Sequence, residues 1–99
     1  MVLGIIAKTD RFPDRVAGLA RAASDNGHSV SIFMTGSGVR LCLDEKIHAL
    51  RGLPGVDVCL CHHSARELGI ADAIPDGIAC GSQYNNASMI QRADRMVCF

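Results

Sequence analysis

Two cysteines two residues apart stand directly before two adjacent histidines in the stretch VCLCHHSARELGI, Val58 to Ile70. Cys and His side chains hold soft or borderline metals, exchange disulfides, or pair one working thiolate with an imidazole that moves its proton. On an extended segment Cys59 and Cys61 point the same way, about 6.5 to 7 Å apart, too far for an unstrained disulfide. Cys59, Cys61, His62 and His63 are four possible ligands packed into five residues, whereas structural zinc sites use two separated pairs. No metal is assigned on this basis. A metal- or small-ligand-binding module built on these four residues stays open as the alternative, above all if subunits share ligands.

Cys61 is set apart by its place, where a strand gives way to a helix. Free backbone N–H groups and the helix dipole favour an anion there by about 0.3 to 1 kcal/mol, lowering a thiol pKa near 8.5 by roughly 0.2 to 0.7. A protonated His62 or His63 would push further in that direction and could pass a proton. Cys61 is therefore expected to be the reactive thiol and the most readily alkylated of the five cysteines. Cys42 and Cys98 lie in apolar periodicity and are expected as small core residues.

The positioning elements follow from hydrophobic periodicity. Val2 to Ala7, Val30 to Met34 and Val56 to Leu60 are short apolar runs suited to strands buried on both faces of a parallel sheet. Pro13 opens a helix in which Val16, Leu19, Ala20 and Ala23 recur at helical spacing, with Asn26 and Gly27 as its stop. Leu43, Ile47 and Leu50 form a second helical stripe ending near Gly52 and Pro54. His62 to Leu68 makes a short helix that Gly69 terminates. After the turn at Pro75-Asp76-Gly77, Ile78 to Cys80 is a short strand and Gly81-Ser82-Gln83 leads into a helix through Ala87 and Ile90. Arg95 to Phe99 closes as the last strand. This alternation predicts an α/β fold over residues 1–99, one domain with a mostly parallel five-stranded sheet wound on both faces, as in flavodoxin-like proteins.

In such sheets chemistry gathers beyond the carboxyl ends of the strands. The loops to inspect hold Thr9 and Asp10, Gly36 to Gly38, Cys61 to Ser64, and Gly81 to Asn85. The TGSG run at Thr35 to Gly38 lacks a Walker lysine and the spacing of a dinucleotide loop, and it reads as a bare turn. Thr9 and Asp10 receive no role.

Ninety-nine residues with 48% hydrophobic and 20% charged content are ordinary globular composition. Ten basic residues offset ten acidic ones, no basic block occurs, and three Phe, one Tyr and no Trp leave little for base stacking. Direct nucleic-acid partners are discounted. The opening MVLGIIAKTD has neither the basic flank nor the length of an export signal or membrane span, so no membrane partner is expected, and the location read from it is cytoplasmic, with free thiols. A core this small leaves room for stabilisation by a second copy, and a homo-oligomer is expected.

Cys61-His62-His63-Ser64-Ala65, with Gly69-Ile70 after it, resembles the Cys-x-x-(small)-Ala-x-x-x-Gly-(aliphatic) segment of DsrE/DsrF/TusD-like sulfur-relay proteins. The resemblance runs across nearly the whole chain, taking in the first strand, Gly38-Val39 after the second, and Ala93-Asp94-Arg95 before the last. It implies a DsrE-like domain acting as a sulfur carrier or sulfurtransferase without a cofactor. Cys61 would accept sulfane sulfur as a persulfide from donor proteins or small thiols and pass it to an acceptor thiol. From their place beside Cys61, His62 and His63 are the expected binding neighbours of the sulfur, and Ser64 with the Gly81-Ser82-Gln83 loop is expected to line its approach. Asn85 and Asn86 are further candidates to line it, with helix capping as their first expected task. The chain is shorter than the better-known relay proteins and carries the extra Cys59.

Overall fold

The computed structural model describes residues 1–99. Its strands are β1 (Val2–Ala7), β2 (Ser29–Met34), β3 (Val56–Cys61), β4 (Ala79–Gly81) and β5 (Arg95–Cys98), and its helices are α1 (Pro13–Asp25), α2 (Glu45–Ala49), α3 (His62–Glu67) and α4 (Gln83–Arg92). All five strands pair in parallel in the order β4-β3-β2-β1-β5. The α/β fold and its five-stranded sheet are thus as expected, with every strand parallel. The winding places β1 to β4 in sequence order and reverses once, to put β5 beside β1, whereas the flavodoxin order is 2-1-3-4-5.

That order decides which face each crossover covers. Successive right-handed connections from β1 to β4 lay α1, α2 and α3 on one side, and the return from β4 to β5 carries α4 to the other. The α1 face holds a core of 18 buried residues, including Leu3, Ile5, Val30, Ile32, Val58 and Leu60 from the strands. The α4 face holds only Phe33, Cys61 and Met89, with Ile6 and Cys59 packed at the margin.

Local chemistry sets the ends of the elements. Pro13 starts α1, and Gly27 at φ 81° ends it, with His28 N–H donating to the Ala23 carbonyl at 3.0 Å and Gly27 N–H to Ser24 at 3.0 Å. Gly69, at φ 74°, closes α3 in the same way, with Ile70 N–H on Ala65 and Gly69 N–H on Arg66. Both are left-handed caps that satisfy the last carbonyls. Asp94 ties the start of β5 to β1, its carboxylate accepting the Val2 N–H at 2.7 Å while its own N–H donates to the Val2 carbonyl at 2.8 Å.

Several boundaries depart from the periodicity. The stripe from Leu43 to Leu50 is interrupted: a 3-10 segment, Gly36–Leu43, precedes α2 and another, Leu50–Gly52, follows it. Ile47 and Leu50 are buried, but Leu43 is exposed, because Asp44 leaves the helix to cap α2 by accepting the Lys46 N–H at 2.8 Å. Cys98 is exposed rather than a core residue, since edge strand β5 turns it, with Met96, to the thinly covered α4 side. Cys42 is fully buried, as expected.

Gly38 sits where the chain leaving β2 crosses the end of β1, and a Cβ there would overlap the Ala7 carbonyl backbone. Neither backbone can withdraw without breaking the β1–β2 pairing. Gly38→Ala is therefore expected to destabilise the fold by about 3 kcal/mol, the upper end of ordinary overpacking costs. A thermal melt should show the midpoint falling by more than about 10 °C, and an unchanged midpoint would mean that this crossing is looser than described.

Candidate functional site

The alternation of β3 fixes the site. Val58 and Leu60 enter the α1-face core, so Cys59 and Cys61 must face α4. Cys61 ends β3 and caps α3 in extended conformation, φ −77° and ψ 111°. Its side chain is only 4% exposed, packed with Phe33 and Met89 beneath the start of α4.

Three strand-end loops meet over this sulfur. In the sheet β3 lies between β2 and β4, so the segments after β2 and β4 flank Cys61. Gln83, at the start of α4, reaches across β3 and donates from Nε2 to Thr35 Oγ1 at 3.0 Å, joining residues 48 apart in sequence. Gly36 N–H donates to Ser64 Oγ at 3.1 Å, tying the β2 loop to α3. Asn86 Nδ2 donates to Gln83 Oε1 at 3.3 Å. From the sequence Thr35 and Gly36 read as a bare turn, and Asn86 as a helix cap or a residue lining the approach.

Burial pushes the Cys61 thiol pKa up, and four donors outweigh it: the Ser64 hydroxyl, the Ser64 backbone N–H, the Gln83 side chain and the His63 backbone N–H. The net direction is down from the ordinary thiol value. The neutral side chain makes no cap hydrogen bond to α3, so these groups act as donors awaiting an anion. Cys59 goes the other way: burial, then the neighbouring Cys80 and Cys61, raise it despite a backbone contribution from Leu60. Cys42 is raised as well, by burial and Cys80. Of these three thiols only Cys61, at the end of its strand, is shifted toward the anion.

The residues expected from the sequence do not all meet at the sulfur. Cys61, Ser64 and Gln83 come together, and His63 joins them through its backbone. Its imidazole does not: Nε2 pairs with Glu67 Oε1 at 2.8 Å on the surface, with both side chains mostly exposed. His62 is exposed, and neither ring contributes to the Cys61 shift. Two solvated imidazoles on the outer side of a short helix are not the proton partners their proximity in sequence promised. Gly81 and Ser82 act one step back. Ser82 caps α4, its hydroxyl accepting the Tyr84 N–H at 3.2 Å while its N–H donates to Asn85 Oδ1 at 2.9 Å. Gly81 leaves room for that cap, since a Cβ there would come within 2.5 Å of Asn85 Oδ1 and 3.0 Å of Cys59 Sγ. No three Cys, His, Asp or Glu side chains gather closely enough to hold a metal within one chain.

A buried cysteine at a strand-to-helix junction, ringed by neutral donors at the carboxyl edge of a parallel sheet, is an arrangement suited to thiol chemistry. The chain belongs to the DsrE/DsrF-like family, whose model matches residues 1–99, and this family is generally linked to sulfur relay. No curated protein matches the chain.

The donors make a directional prediction. Because Cys80 and Cys98 are exposed and Cys61 is buried, the pH midpoint of labelling discriminates better than the raw rate. Peptide mapping after iodoacetamide pulses across a pH series should place the Cys61 midpoint below that of Cys59. Ser64→Ala, which removes one donor, should raise the Cys61 midpoint and cut its labelling at neutral pH by about tenfold, the loss of one hydrogen bond to an anion. A Cys59 midpoint at or below that of Cys61 contradicts this ordering.

Proposed function

We propose that residues 1–99 form one DsrE-like domain that carries sulfane sulfur on Cys61 as a sulfur carrier or sulfurtransferase. The observation that carries this reading is the convergence of donors from α3 and α4 on one buried thiol, held in place by the loop after β2. The Cys61 thiolate attacks the outer sulfur of a persulfide or polysulfide donor. A new S–S bond forms at Cys61, the donor's own S–S bond breaks, and the donor leaves as a thiolate. An acceptor thiolate then attacks the outer sulfur, and Cys61 departs as the stabilised anion. No net oxidation occurs and no cofactor is required. The same donors that favour the anion before loading improve Cys61 as a leaving group after it.

The outer sulfur lies about 2 Å beyond Sγ, which extends the reactive atom from a 4% exposed side chain toward the rim. Burial thus shields the carrier thiol and presents the cargo to donor and acceptor proteins or small thiols. Ser64 and Gln83 hold the sulfur, the His63 N–H assists them, Gly81 and Ser82 shape the approach, and exposed His62 belongs to the surface a partner meets. Such chemistry needs a reducing compartment, and we place the protein in the cytoplasm. No helix is long and apolar enough to cross a membrane.

We further propose a homo-oligomer. The α4 face buries only three core residues, a groove of about 180 Å³ runs beside α4 past Phe33, Cys59 and Met89, and Tyr84, Ile90 and Met96 stay exposed. Exposed large side chains on α4 and the adjoining edge strand β5 mark a surface for association. Light scattering at micromolar concentration should give a multiple of the chain mass, and a monomer mass rejects this part.

Mass spectrometry after polysulfide treatment tests the transfer reading. Wild type should gain one sulfur atom at Cys61, Cys61→Ser should gain none there, and Cys59→Ser should keep most of the loading, with bound zinc well below one per chain. Equal loss in both variants together with stoichiometric metal would favour the binding module.

A further inference from the structure

We propose that Asn86 is a positioning residue for Cys61: its side-chain NH₂ holds the Gln83 carbonyl, so that the NH₂ of Gln83 is the end presented to the sulfur. This rests on the reading of Cys61 as a working thiolate. A glutamine amide has two ends of nearly equal shape and opposite polarity, one donating and one accepting. Only the donating end favours a sulfur anion.

The other donors at this site have no wrong way round. The His63 and Ser64 backbone N–H groups are fixed by α3, and Ser64 Oγ receives the Gly36 N–H at 3.1 Å, which leaves its own proton free for the sulfur. Gln83 can be reversed. Its contact with Thr35 Oγ1 does not prevent this, because a hydroxyl donates as readily as it accepts. The contact that reads the polarity of the amide is Asn86 Nδ2 on Gln83 Oε1 at 3.3 Å, three residues along α4 and so on the same helix face. The neighbouring Asn85 is unavailable for this task, since its side chain is committed to the Ser82 cap.

A second observation bears on why asparagine stands at 86. Its Oδ1 is buried with no partner. An orphaned carbonyl oxygen carries a desolvation cost that alanine would avoid, and packing alone does not offset it. The NH₂ end supplies what no apolar residue can, a donor aimed at Gln83.

The test is the pH midpoint of Cys61 alkylation by iodoacetamide in the full chain, with thermal melts run on every variant. Asn86→Ala frees the Gln83 amide to turn and should raise the midpoint. Asn86→Asp is nearly isosteric but only accepts when ionised, so it holds Gln83 reversed and should raise the midpoint further, with labelling at neutral pH about tenfold slower. In a Gln83→Ala background Asn86→Ala should change nothing, and Asn86→Asp should keep only a part that added salt removes. If the Asn86 variants melt early, Gln83→Glu keeps Asn86 and presents only acceptors, and it should raise the midpoint equally. An unshifted midpoint in Asn86→Asp, or the same shift with and without Gln83, overturns the proposal. Sulfur loading is scored separately. A wild type whose Cys61 midpoint is low but that never loads sulfur rejects the transfer reading and leaves the role of Asn86 standing.

Discussion

The register of β3 is the constraint on which the site depends. Val58 and Leu60 are buried against the α1 face, and a slip of one residue would turn both of them toward α4 while driving Cys59 and Cys61 into the main core. Burying two large apolar side chains is worth about 3 to 6 kcal/mol, far more than any preference of the thiols for either side. The bulk of the fold thereby chooses the face on which Cys61 appears, and the pairing of Cys61 with Gly81 brings the start of α4 above it.

The unequal clothing of the two faces follows from strand order. Three crossovers share the α1 face and one long return lies on the other, so the α4 side has fewer side chains to pack and more room for polar ones. In open α/β sheets the crevice at the reversal of strand order commonly holds the ligand. Here that reversal lies between β1 and β5, where the Lys8 and Thr9 N–H groups are occupied by the Phe99 carbonyl. The thiol stands two strands away, with a cover built by Gln83 from the β4 side and Thr35 from the β2 side. Its position is set by the neighbours of β3 and not by the switch point.

Much of the framework was legible in the sequence because it is local. Pro13 and Gly27 bracket α1, Gly69 ends α3, and the apolar runs at Val2, Val30 and Val56 are strands. The position of Cys61 at a strand end was legible for the same reason. What adjoins it was not, because those contacts depend on which strands are neighbours. Thr35 and Gly36 matter only once β2 is known to lie beside β3, and Gln83 only once β4 is known to flank its other side. A hint was present: polar residues follow three of the apolar runs, and all parallel strands end at one edge. The histidines misled for the converse reason. Adjacency in sequence at the start of a helix sends successive side chains about 100° apart, and here both rings go to solvent while only the His63 backbone N–H faces Cys61.

Neutral donors have a consequence that a charged partner would not. An imidazolium beside Cys61 would favour the thiolate only below the pH at which the ring loses its proton, whereas hydroxyl, amide and backbone N–H groups keep their polarity throughout. A Cys61 thiolate would therefore be held by groups that do not titrate in the working range. Linkage gives this a sign. A thiol lowered on folding stabilises the folded chain above its unfolded pKa, and that stabilisation fades as pH falls through the lower folded value. Cys42 and Cys59, raised on folding, act oppositely: they favour the folded chain as thiols, and that contribution fades as pH rises through their folded values. In the alkaline range the chain thus gains from ionising Cys61 while resisting ionisation of Cys59 and Cys42.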